Sequence, residues 1–324
     1  MSDLKSLQQL IDEKLKLIEF PEHPSSLYEP VKYMLSIGGK RIRPLLVLMA
    51  CDLFNGDINK AINPALAIEV FHNFTLLHDD IMDKAPVRRN KVTVHEKWNP
   101  NIAILSGDAM FVKAIQLLLQ TDESKIRSIT DVFTATALEV CEGQQLDMDF
   151  ENRQDVSLDD YLHMIRLKTA VLLGCSLNIG AIVAGASKED CDHIYSAGCN
   201  LGLAFQLQDD LLDLYGDEQQ FGKIPGGDII ANKKTFLLLK ALELADESQK
   251  NEIVYIMSNP SLQPVEKVSR MKSIFDELHI ADHTLEKMEV YYQLAMQMIS
   301  TLHVPDERKS SLTGLAESLR VRVA

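Results

Sequence analysis

Residues 188–215, KEDCDHIYSAGCNLGLAFQLQDDLLDLY, place apolar side chains at the three- to four-residue spacing of an α-helix. The same periodicity recurs from one end of the chain to the other, and no convincing run of alternating, strand-like residues interrupts it. Turn signals separate the periodic segments at NGD (55–57), APVRRN (85–90) and GKIPGGD (222–228). We therefore expect an all-α fold. The predicted helices cover roughly 3–18, 26–36, 42–53, 60–83, 104–119, 125–147, 158–184, 188–215, 233–245, 249–257, 263–277, 282–301 and 306–321.

Length and composition are those of an ordinary globular protein. The chain has 324 residues, of which 46% are hydrophobic and 25% are charged, so disorder is not expected. No Ser/Gly-rich linker and no shift in composition divides it. The sequence thus predicts a single domain over residues 1–324, built as a large bundle of helices joined by short loops.

Charge and cysteine content limit the classes of ligand and compartment. A formal net charge of −14 argues against nucleic acid, because phosphate backbones are bound by basic surfaces. The five cysteines show no CxxC spacing, and an odd number without a secretory leader indicates reduced thiols. The charged, amphipathic N-terminus is unlike a signal peptide. We expect a cytoplasmic protein.

One uncharged stretch, residues 169–186, has eighteen residues and is near the length of a membrane span. It contains Thr169, Ser176 and Asn178 together with three glycines, and Lys168 stands at its head. A core helix of a large bundle and a membrane helix both fit this composition. We favour the core helix and expect no membrane span.

Two aspartate clusters with the same spacing are the strongest functional signal. HDDIMD at 78–83 and QDDLLD at 208–213 are both DDxxD motifs, and each follows strongly apolar helical sequence. On a helix, the first and last aspartates of such a motif share one face, where unpaired carboxylates repel each other. A single copy indicates a solvated acidic face or a helix cap, but two copies favour a metal site, and Mg²⁺ accepts carboxylates together with water and phosphate oxygens. The aspartates are Asp79, Asp80, Asp83, Asp209, Asp210 and Asp213.

Basic residues beside glycines or at predicted helix ends are suited to binding phosphate groups. Arginine matches phosphate oxygens in a bidentate manner, lysine supplies a mobile charge, and glycine lets backbone N–H groups approach an anion. Each motif alone could equally be a surface ion pair or a helix cap, but their order along the chain favours a phosphate site. The motifs are GGKRIRP (38–44) with Lys40, Arg41 and Arg43; the pair Arg88 and Arg89; Lys168 with Thr169; and GKIPGGDIIANKKT (222–235) with Lys223, Lys233, Lys234 and Thr235.

The order of these motifs resembles that of the trans-isoprenyl diphosphate synthases, the polyprenyl synthetase family. The resemblance covers residues 38–240 and includes GGKRIRP, HDDIMD, RRN, TVH, GDAM, GQQLD, KTA, FQLQDDLLD, FGK, GGDI and KKT. It implies an all-α fold around a deep central cavity, a homodimer and three Mg²⁺ ions. It also implies that the substrates are isopentenyl diphosphate and an allylic diphosphate, which ionises, condenses and then loses a proton. The family usually has RRG followed by a proline before TVH, whereas this chain has Arg89-Asn90-Lys91-Val92.

The resemblance also implies roles for individual residues. The residues that resemble the isopentenyl diphosphate clamp are Lys40, Arg43, His72 and Arg89. Those that resemble metal ligands are Asp79, Asp83 and Asp209, with Asp80, Asp210 and Asp213 close by. Those that resemble partners of the allylic diphosphate are Arg88, Lys168, Lys223 and Lys233. Thr169 and Gln206 resemble the groups that face the developing carbocation or assist proton removal.

Product length is predicted from residues that precede the first aspartate cluster. Phe74 and Phe71 lie five and eight residues before Asp79, and two rings on that helix face would form the floor of a product tunnel. They could also simply pack in the core, and the two interpretations are compatible. We favour a product of fifteen or twenty carbons, farnesyl or geranylgeranyl diphosphate; the alternatives are a longer product such as octaprenyl diphosphate, or a terpene synthase. His72, seven residues before Asp79, would by itself be interpreted as a structural histidine.

Overall fold

The structure is a computed structural model and describes residues 4–216 and 226–320. Helices account for most of the described residues, and the all-α prediction is confirmed. The helices are α1 (Leu4–Lys16), α2 (Ser25–Ser36), α3 (Ile42–Leu53), α4 (Ile58–Met82), α5 (Val94–Lys97), α6 (Pro100–Leu118), α7 (Glu123–Asn152), α8 (Leu158–Ile165), a π-helix (Arg166–Ala170), α9 (Val171–Ala184), α10 (Lys188–Tyr215), α11 (Gly227–Ile230), α12 (Phe236–Leu244), α13 (Glu247–Ser258), α14 (Pro264–Glu277), α15 (Ile280–Ser300) and α16 (Asp306–Arg320).

Two compact units divide the chain. The first comprises Met1–Thr134 with Ser176–Asp192, and the second comprises Ala135–Cys175 with His193–Ala324. Helices α7, α9 and α10 contribute residues to both units. The single domain over residues 1–324 and the deep central cavity stay predictions.

The first unit is built around α4. This helix has buried side chains on all its faces from Ala61 to Phe71, as expected of a central helix. It packs against α3 and α6. Its first turn is capped by Asp57, whose side chain accepts a hydrogen bond from the backbone N–H of Asn59 at 3.0 Å. The core of this unit therefore holds the helix that ends in the first aspartate cluster.

Two apolar clusters of the second unit share the helix α12. Leu237 and Leu238 pack with residues of α13 and α14, including Ile253 and Phe275. On the other side of α12, Phe236 packs with residues of α8 and α10. Burial of α12 from both sides fixes the segment that follows the second aspartate cluster.

A short hairpin replaces the loop predicted after the first cluster. Strands β1 (Val87–Arg88) and β2 (Lys91–Val92) pair in antiparallel register. The two turn residues, Arg89 and Asn90, have φ of 49° and 61°. Positive φ at both central residues is the signature of a type I′ hairpin turn, in which asparagine is well tolerated. Asn90 thus occupies a turn position at which both asparagine and glycine are favourable.

Other local features also differ from the predicted helices. The helix predicted over 158–184 is interrupted by the π-helix, which contains Lys168 and Thr169. Helix α6 begins at Pro100 rather than near residue 104, because Asn99 caps it by accepting from the backbone N–H of Ile102 and proline is favourable at the first helical position. The short helices α5 and α11 were not predicted.

Within the described residues, two helical stretches are long and apolar enough to cross a membrane by length and composition, 100–118 and 158–184. The second includes most of the uncharged stretch predicted as a core helix, and 72% of the residues in its apolar eighteen-residue segment are buried in the protein. The first was not identified from the sequence, and only 39% of the residues in its corresponding segment are buried. Its exposed apolar side chains therefore need a separate explanation.

Candidate active site

The first aspartate cluster lies at the C-terminal end of α4. Asp83 is the residue that ends the helix, and its backbone N–H donates to the Asp79 carbonyl at 2.8 Å. Asp79 is half-buried, Asp80 is buried and Asp83 is exposed. As predicted, the first and last aspartates lie on the same side of the helix end. The middle one points into the protein.

Asp80 and Arg88 form a close ion pair. The Arg88 Nε lies 2.8 and 2.9 Å from the two carboxylate oxygens, and Nη2 lies 2.7 Å from Oδ1. Burial raises the pKa of Asp80, while the hydrogen bonds and charge of Arg88 lower it. This pair fastens the β1–β2 hairpin to the end of α4.

The second arginine of the hairpin contacts the glycine turn of GGKRIRP. Arg89 Nη1 donates to the carbonyl of Gly38. Gly38 and Gly39 have φ of 89° and 143°, and a Cβ on Gly39 would overlap the Arg89 guanidinium. Two motifs that are about fifty residues apart in sequence therefore meet in the first unit, with Lys40 next to the turn.

Arg43 and His72 are neighbours, as their common assignment to one clamp predicted. Arg43 Nη1 lies 3.1 Å from His72 Nε2. Burial, followed by the charge of Arg43, lowers the pKa of His72 well below its ordinary value. The imidazole is therefore neutral at pH 7 and accepts the hydrogen bond from Arg43.

Arg41 is not a phosphate-facing residue, although the sequence grouped it with the phosphate motifs. Its guanidinium is buried and bonded to Glu69 at 2.5 Å, to the carbonyl of Leu35 at 3.0 Å and to Asp12 at 3.4 Å. Asn73 also donates to Glu69, at 2.9 Å. This network anchors the GGKRIRP loop, and the sequence signal was Glu69, a lone acidic residue within an apolar helix.

An aromatic cluster surrounds the two phenylalanines that were predicted to limit product length. Phe71 is 1% exposed and contacts the rings of Phe74, Phe111 and Phe133 at centroid distances of 5.1–5.8 Å. Phe74 is half-buried and stacks on Phe111 at 5.4 Å. Phe111 was missed from the sequence, and its only signal was its position directly after GDAM.

The second aspartate cluster lies near the end of α10, in the second unit. Asp209 is exposed, Asp210 is buried and Asp213 is half-buried. The backbone of Asp213 accepts from the N–H of Gly226 at 2.6 Å, and its carboxylate accepts from the N–H of Asp228 at 2.9 Å. Asp213 therefore orders the GGD segment and the start of α11.

Asp210 is buried with neutral donors. It accepts hydrogen bonds from the Tyr161 hydroxyl and from Gln206 Nε2, the latter at 3.1 Å. Burial first, and then the charge of Asp228, raise the pKa of Asp210 to about 7. Gln206 Oε1 in turn accepts from Thr169 Oγ1 at 3.1 Å, so the two residues assigned to the carbocation are in contact. Tyr161 was not foreseen from the sequence.

Lys168 is presented by the π-helix. Its ammonium group lies 2.5 Å from Asp147 Oδ2, the last residue of GQQLD. A Cβ on Gly143, the first residue of that motif, would overlap the backbone of Lys168. The glycine thus allows α7 to approach the π-helix closely, and π-helical turns occur frequently at functional sites.

The two lysines of KKT have different environments. Lys233 is exposed, whereas Lys234 Nζ donates to the carbonyls of Phe150 and Glu151, at 2.5 and 3.3 Å. Lys234 therefore caps the C-terminal end of α7, where a cation is favourable. Lys223, the other lysine assigned to the allylic diphosphate, lies outside the described residues.

The carboxylates fit a cation that takes few protein ligands. Among residues 4–216 and 226–320, no group of three or more His, Cys, Asp or Glu side chains is arranged as a metal site. Mg²⁺ is usually held by one or two carboxylates, waters and substrate phosphates rather than by a cage of protein ligands. Paired aspartates one helical turn apart suit that ion, and they do not suit a structural zinc site.

Comparison with known proteins gives the family. The polyprenyl synthetase family model matches residues 24–278. A geranylgeranyl diphosphate synthase of Sulfolobus acidocaldarius is 40% identical over 295 residues, which cover 90% of this chain and 87% of that protein.

Solved structures agree. A geranylgeranyl pyrophosphate synthase is 46% identical with a TM-score of 0.95, and each chain is covered completely. The geranylgeranyl pyrophosphate synthetase of Pyrococcus horikoshii Ot3 is 35% identical with a TM-score of 0.91, covering 98% of this chain and 97% of that one. The resemblance inferred from the motifs is confirmed. The chain belongs to the polyprenyl synthetase family.

Proposed function

We propose that this chain is a Mg²⁺-dependent trans-prenyltransferase that condenses isopentenyl diphosphate with an allylic diphosphate, with geranylgeranyl diphosphate as the product. The observation that supports it best is the meeting of GGKRIRP, His72, the first aspartate cluster and the Arg88-Arg89 hairpin in one compact unit. Relatives named for the synthesis of geranylgeranyl diphosphate support the twenty-carbon product.

The isopentenyl diphosphate clamp is assigned to Lys40, Arg43, His72 and Arg89. Neutral His72 orients Arg43, and Gly38 orients Arg89, so that neither guanidinium depends on the substrate for its position. Since these side chains are already ordered before the substrate binds, binding does not lose their conformational entropy.

The allylic diphosphate is assigned to Lys168, Lys233, Lys223 and Arg88, with Mg²⁺ at Asp79, Asp83 and Asp209. Bound Mg²⁺ would neutralise the diphosphate and make it a better leaving group. An ammonium group has three donors, so Lys168 can retain Asp147 and still donate to a phosphate oxygen. Fixed cations of this kind stabilise the charge that develops on the leaving diphosphate.

The carbon–carbon bond forms when the double bond of isopentenyl diphosphate attacks the allylic cation, and a proton then leaves the adduct. Gln206 Oε1 and Thr169 Oγ1 present oxygen atoms with partial negative charge, which suits a neighbouring cation. Phe74, backed by Phe111, would stop the growing chain as the floor of the tunnel. Released diphosphate would be the base for the final proton.

The homodimer that the resemblance implies is assigned to α6. Leu105 and Val112 of α6 and Leu119, the residue that caps it, follow each other at intervals of seven residues and are 60%, 54% and 56% exposed. Seven residues are two helical turns, so the three side chains form one apolar stripe. A self-associating face explains why this apolar helix is so little buried within one chain.

Light scattering of the purified protein should give the mass of a dimer. The double variant Val112→Lys with Leu105→Lys should give the mass of a monomer, whereas Val290→Lys, at a similarly exposed valine, should remain a dimer.

The cytoplasmic location is part of the same proposal. None of the five cysteines, all of which lie in the described part of the chain, forms a disulfide, and four of them are buried. Burial raises the pKa of Cys51 and of Cys175 to about 12, so both thiols are protonated at pH 7. Buried, protonated thiols are consistent with a reducing compartment.

The function is tested by incubating the purified chain with labelled isopentenyl diphosphate, Mg²⁺ and one allylic primer at a time: dimethylallyl, geranyl or farnesyl diphosphate. We expect a twenty-carbon product after dephosphorylation and chromatography, and no product when a chelator removes the metal. Absence of incorporation with all three primers would contradict the proposal.

A further inference from the structure

Tyr161 lies on α8 with its ring inside an apolar cluster of the second unit. It is 3% exposed, and the same cluster includes Leu207 and Phe236. The hydroxyl is the only polar group of the side chain, and it donates to Oδ2 of Asp210. The aspartate belongs to a sequence motif, and the tyrosine belongs to none.

A chain of three hydrogen bonds connects Tyr161 with Thr169. The second carboxylate oxygen of Asp210 accepts from Gln206 Nε2 at 3.1 Å, and Gln206 Oε1 accepts from Thr169 Oγ1 at 3.1 Å. The two ends of a glutamine amide are chemically different, so its orientation is determined by what lies at each end. In the structure, Asp210 accepts from the NH₂ group of Gln206, and this leaves the amide oxygen for the Thr169 hydroxyl.

The position of Tyr161 is fixed independently of Asp210. Helix α8 begins with a capping box in which Ser157 and Asp160 bond to each other's backbone N–H groups. Arg153 also lies 3.3 Å from Asp160. The hydroxyl is thus held by a rigid helix start and by the packing of its ring, and it can serve as a fixed reference for the aspartate.

Asp210 depends on this donor because it is buried. The residue is 5% exposed, and a buried acceptor that loses its donor is unfavourable. Without the hydroxyl, the carboxylate gains by turning toward another donor, and the amide of Gln206 moves with it. A substitution of Tyr161 should therefore change the orientation of the Gln206 amide and its hydrogen bond with Thr169.

We infer that Tyr161 is a positioning residue for prenyl transfer: by holding Asp210, it sets the Gln206 amide so that the amide oxygen faces the Thr169 hydroxyl. The inference rests on the proposed function, in which those two oxygens face the allylic cation. Substitutions of groups that orient active-site residues typically cost about ten- to a hundred-fold in activity.

Tyr161→Phe tests the inference, with Tyr292→Phe as its matched control. Tyr292 is also buried in the second unit and donates to a carboxylate, Glu317, at 2.7 Å. We expect Tyr161→Phe to lower kcat by about ten-fold or more, with KM for isopentenyl diphosphate within about two-fold of the wild type. Tyr292→Phe should leave both constants unchanged. In a Gln206→Ala background, Tyr161→Phe should cause no further loss, because the residue through which it acts is absent.

Three results would overturn the inference: an unchanged kcat in Tyr161→Phe, an equal loss in Tyr292→Phe, or an undiminished loss in the Gln206→Ala background. If Tyr161→Phe does not fold, Asp210→Asn tests the same link, because its amide can offer Gln206 a donor in place of an acceptor; kcat should then fall by about ten-fold or more with little change in KM for isopentenyl diphosphate, and an unchanged kcat would refute the inference. An inactive wild-type chain would instead refute the proposed function, so the two failures are distinguishable.

Discussion

The two aspartate clusters have the same sequence spacing and different surroundings. In both, the middle aspartate is buried and the flanking ones are more exposed. At the end of α4 the buried Asp80 is paired with a cation, Arg88, and further arginines lie near enough to lower the pKa of His72. Near the end of α10, the donors to the buried Asp210 among residues 4–216 and 226–320 are neutral, and another carboxylate, Asp228, helps to raise its pKa to about 7.

The comparison indicates that one helical spacing, DDxxD, serves two separate roles. We propose that the more exposed outer aspartates contact metal and phosphate, whereas the buried middle one is an internal anchor. In the first unit the anchor holds a basic hairpin, which matches a diphosphate clamp. In the second it accepts from the Tyr161 hydroxyl and the Gln206 amide, and that amide bonds to Thr169 on the proposed carbocation side.

The largest effect is expected at the outer aspartates. Asp79→Ala and Asp209→Ala should each lower kcat by about a thousand-fold, roughly 4 kcal/mol, because each removes a proposed ligand of the ion that neutralises the leaving diphosphate. Steady-state kinetics measures the loss, and thermal unfolding should show folded protein. Near-normal turnover in either variant would show that the two clusters do not contribute equally to the proposed metal site.

The anchor of the first cluster should matter for stability. Arg88→Met leaves the Asp80 carboxylate buried without its cation, which should lower the free energy of unfolding by about 3 kcal/mol. Adding Asp80→Asn removes the buried charge and should restore part of the loss. Denaturant titration measures both variants, and an unaffected Arg88→Met protein would show that the pair is not an anchor.

Product length should depend on the helix that leads to the first cluster. Phe74→Ala removes the ring that stacks on Phe111 and should shift part of the product from twenty to twenty-five carbons. Phe133→Leu, which changes a 1% exposed ring of the same aromatic cluster, is the control and should keep the product length. Chromatography of the dephosphorylated products distinguishes them, and an unchanged product spectrum in Phe74→Ala would remove the floor assigned to that ring.

The smallest effect is expected from the basic surroundings of the first cluster. The pKa of His72 is lowered in the folded chain, so below pH 6.5 the unfolded chain binds a proton that the folded chain does not. Above that pH the neutral His72 has no effect on the free energy of unfolding. Below it, the free energy of unfolding falls by about 1.4 kcal/mol per pH unit. His72→Asn should therefore flatten the pH dependence of unfolding between pH 5 and 6.5, and exposed His303→Asn should change it less. Equal slopes for both variants would contradict a neutral His72.

Much of the fold and site followed from local patterns. Helices such as 42–53 and 188–215 were predicted with their observed ends, because helical periodicity and turn residues act over a few positions. The pairs Arg43 with His72 and Thr169 with Gln206 were assigned to common roles and are in contact. The π-helix and the hairpin were missed, since each depends on packing or on turn conformation rather than on periodicity.

By itself, the sequence determined the all-α class, the two aspartate clusters and the family, because these depend on residue type and short-range spacing. Tertiary structure alone decided which of two basic residues in the same motif turns inward. Arg41 turns inward to Glu69 while Arg43 meets His72, and Lys234 caps α7 while Lys233 stays exposed. The physical reason is that the partner of a buried charge comes from a distant part of the chain, and an unpartnered charge cannot be buried at low cost.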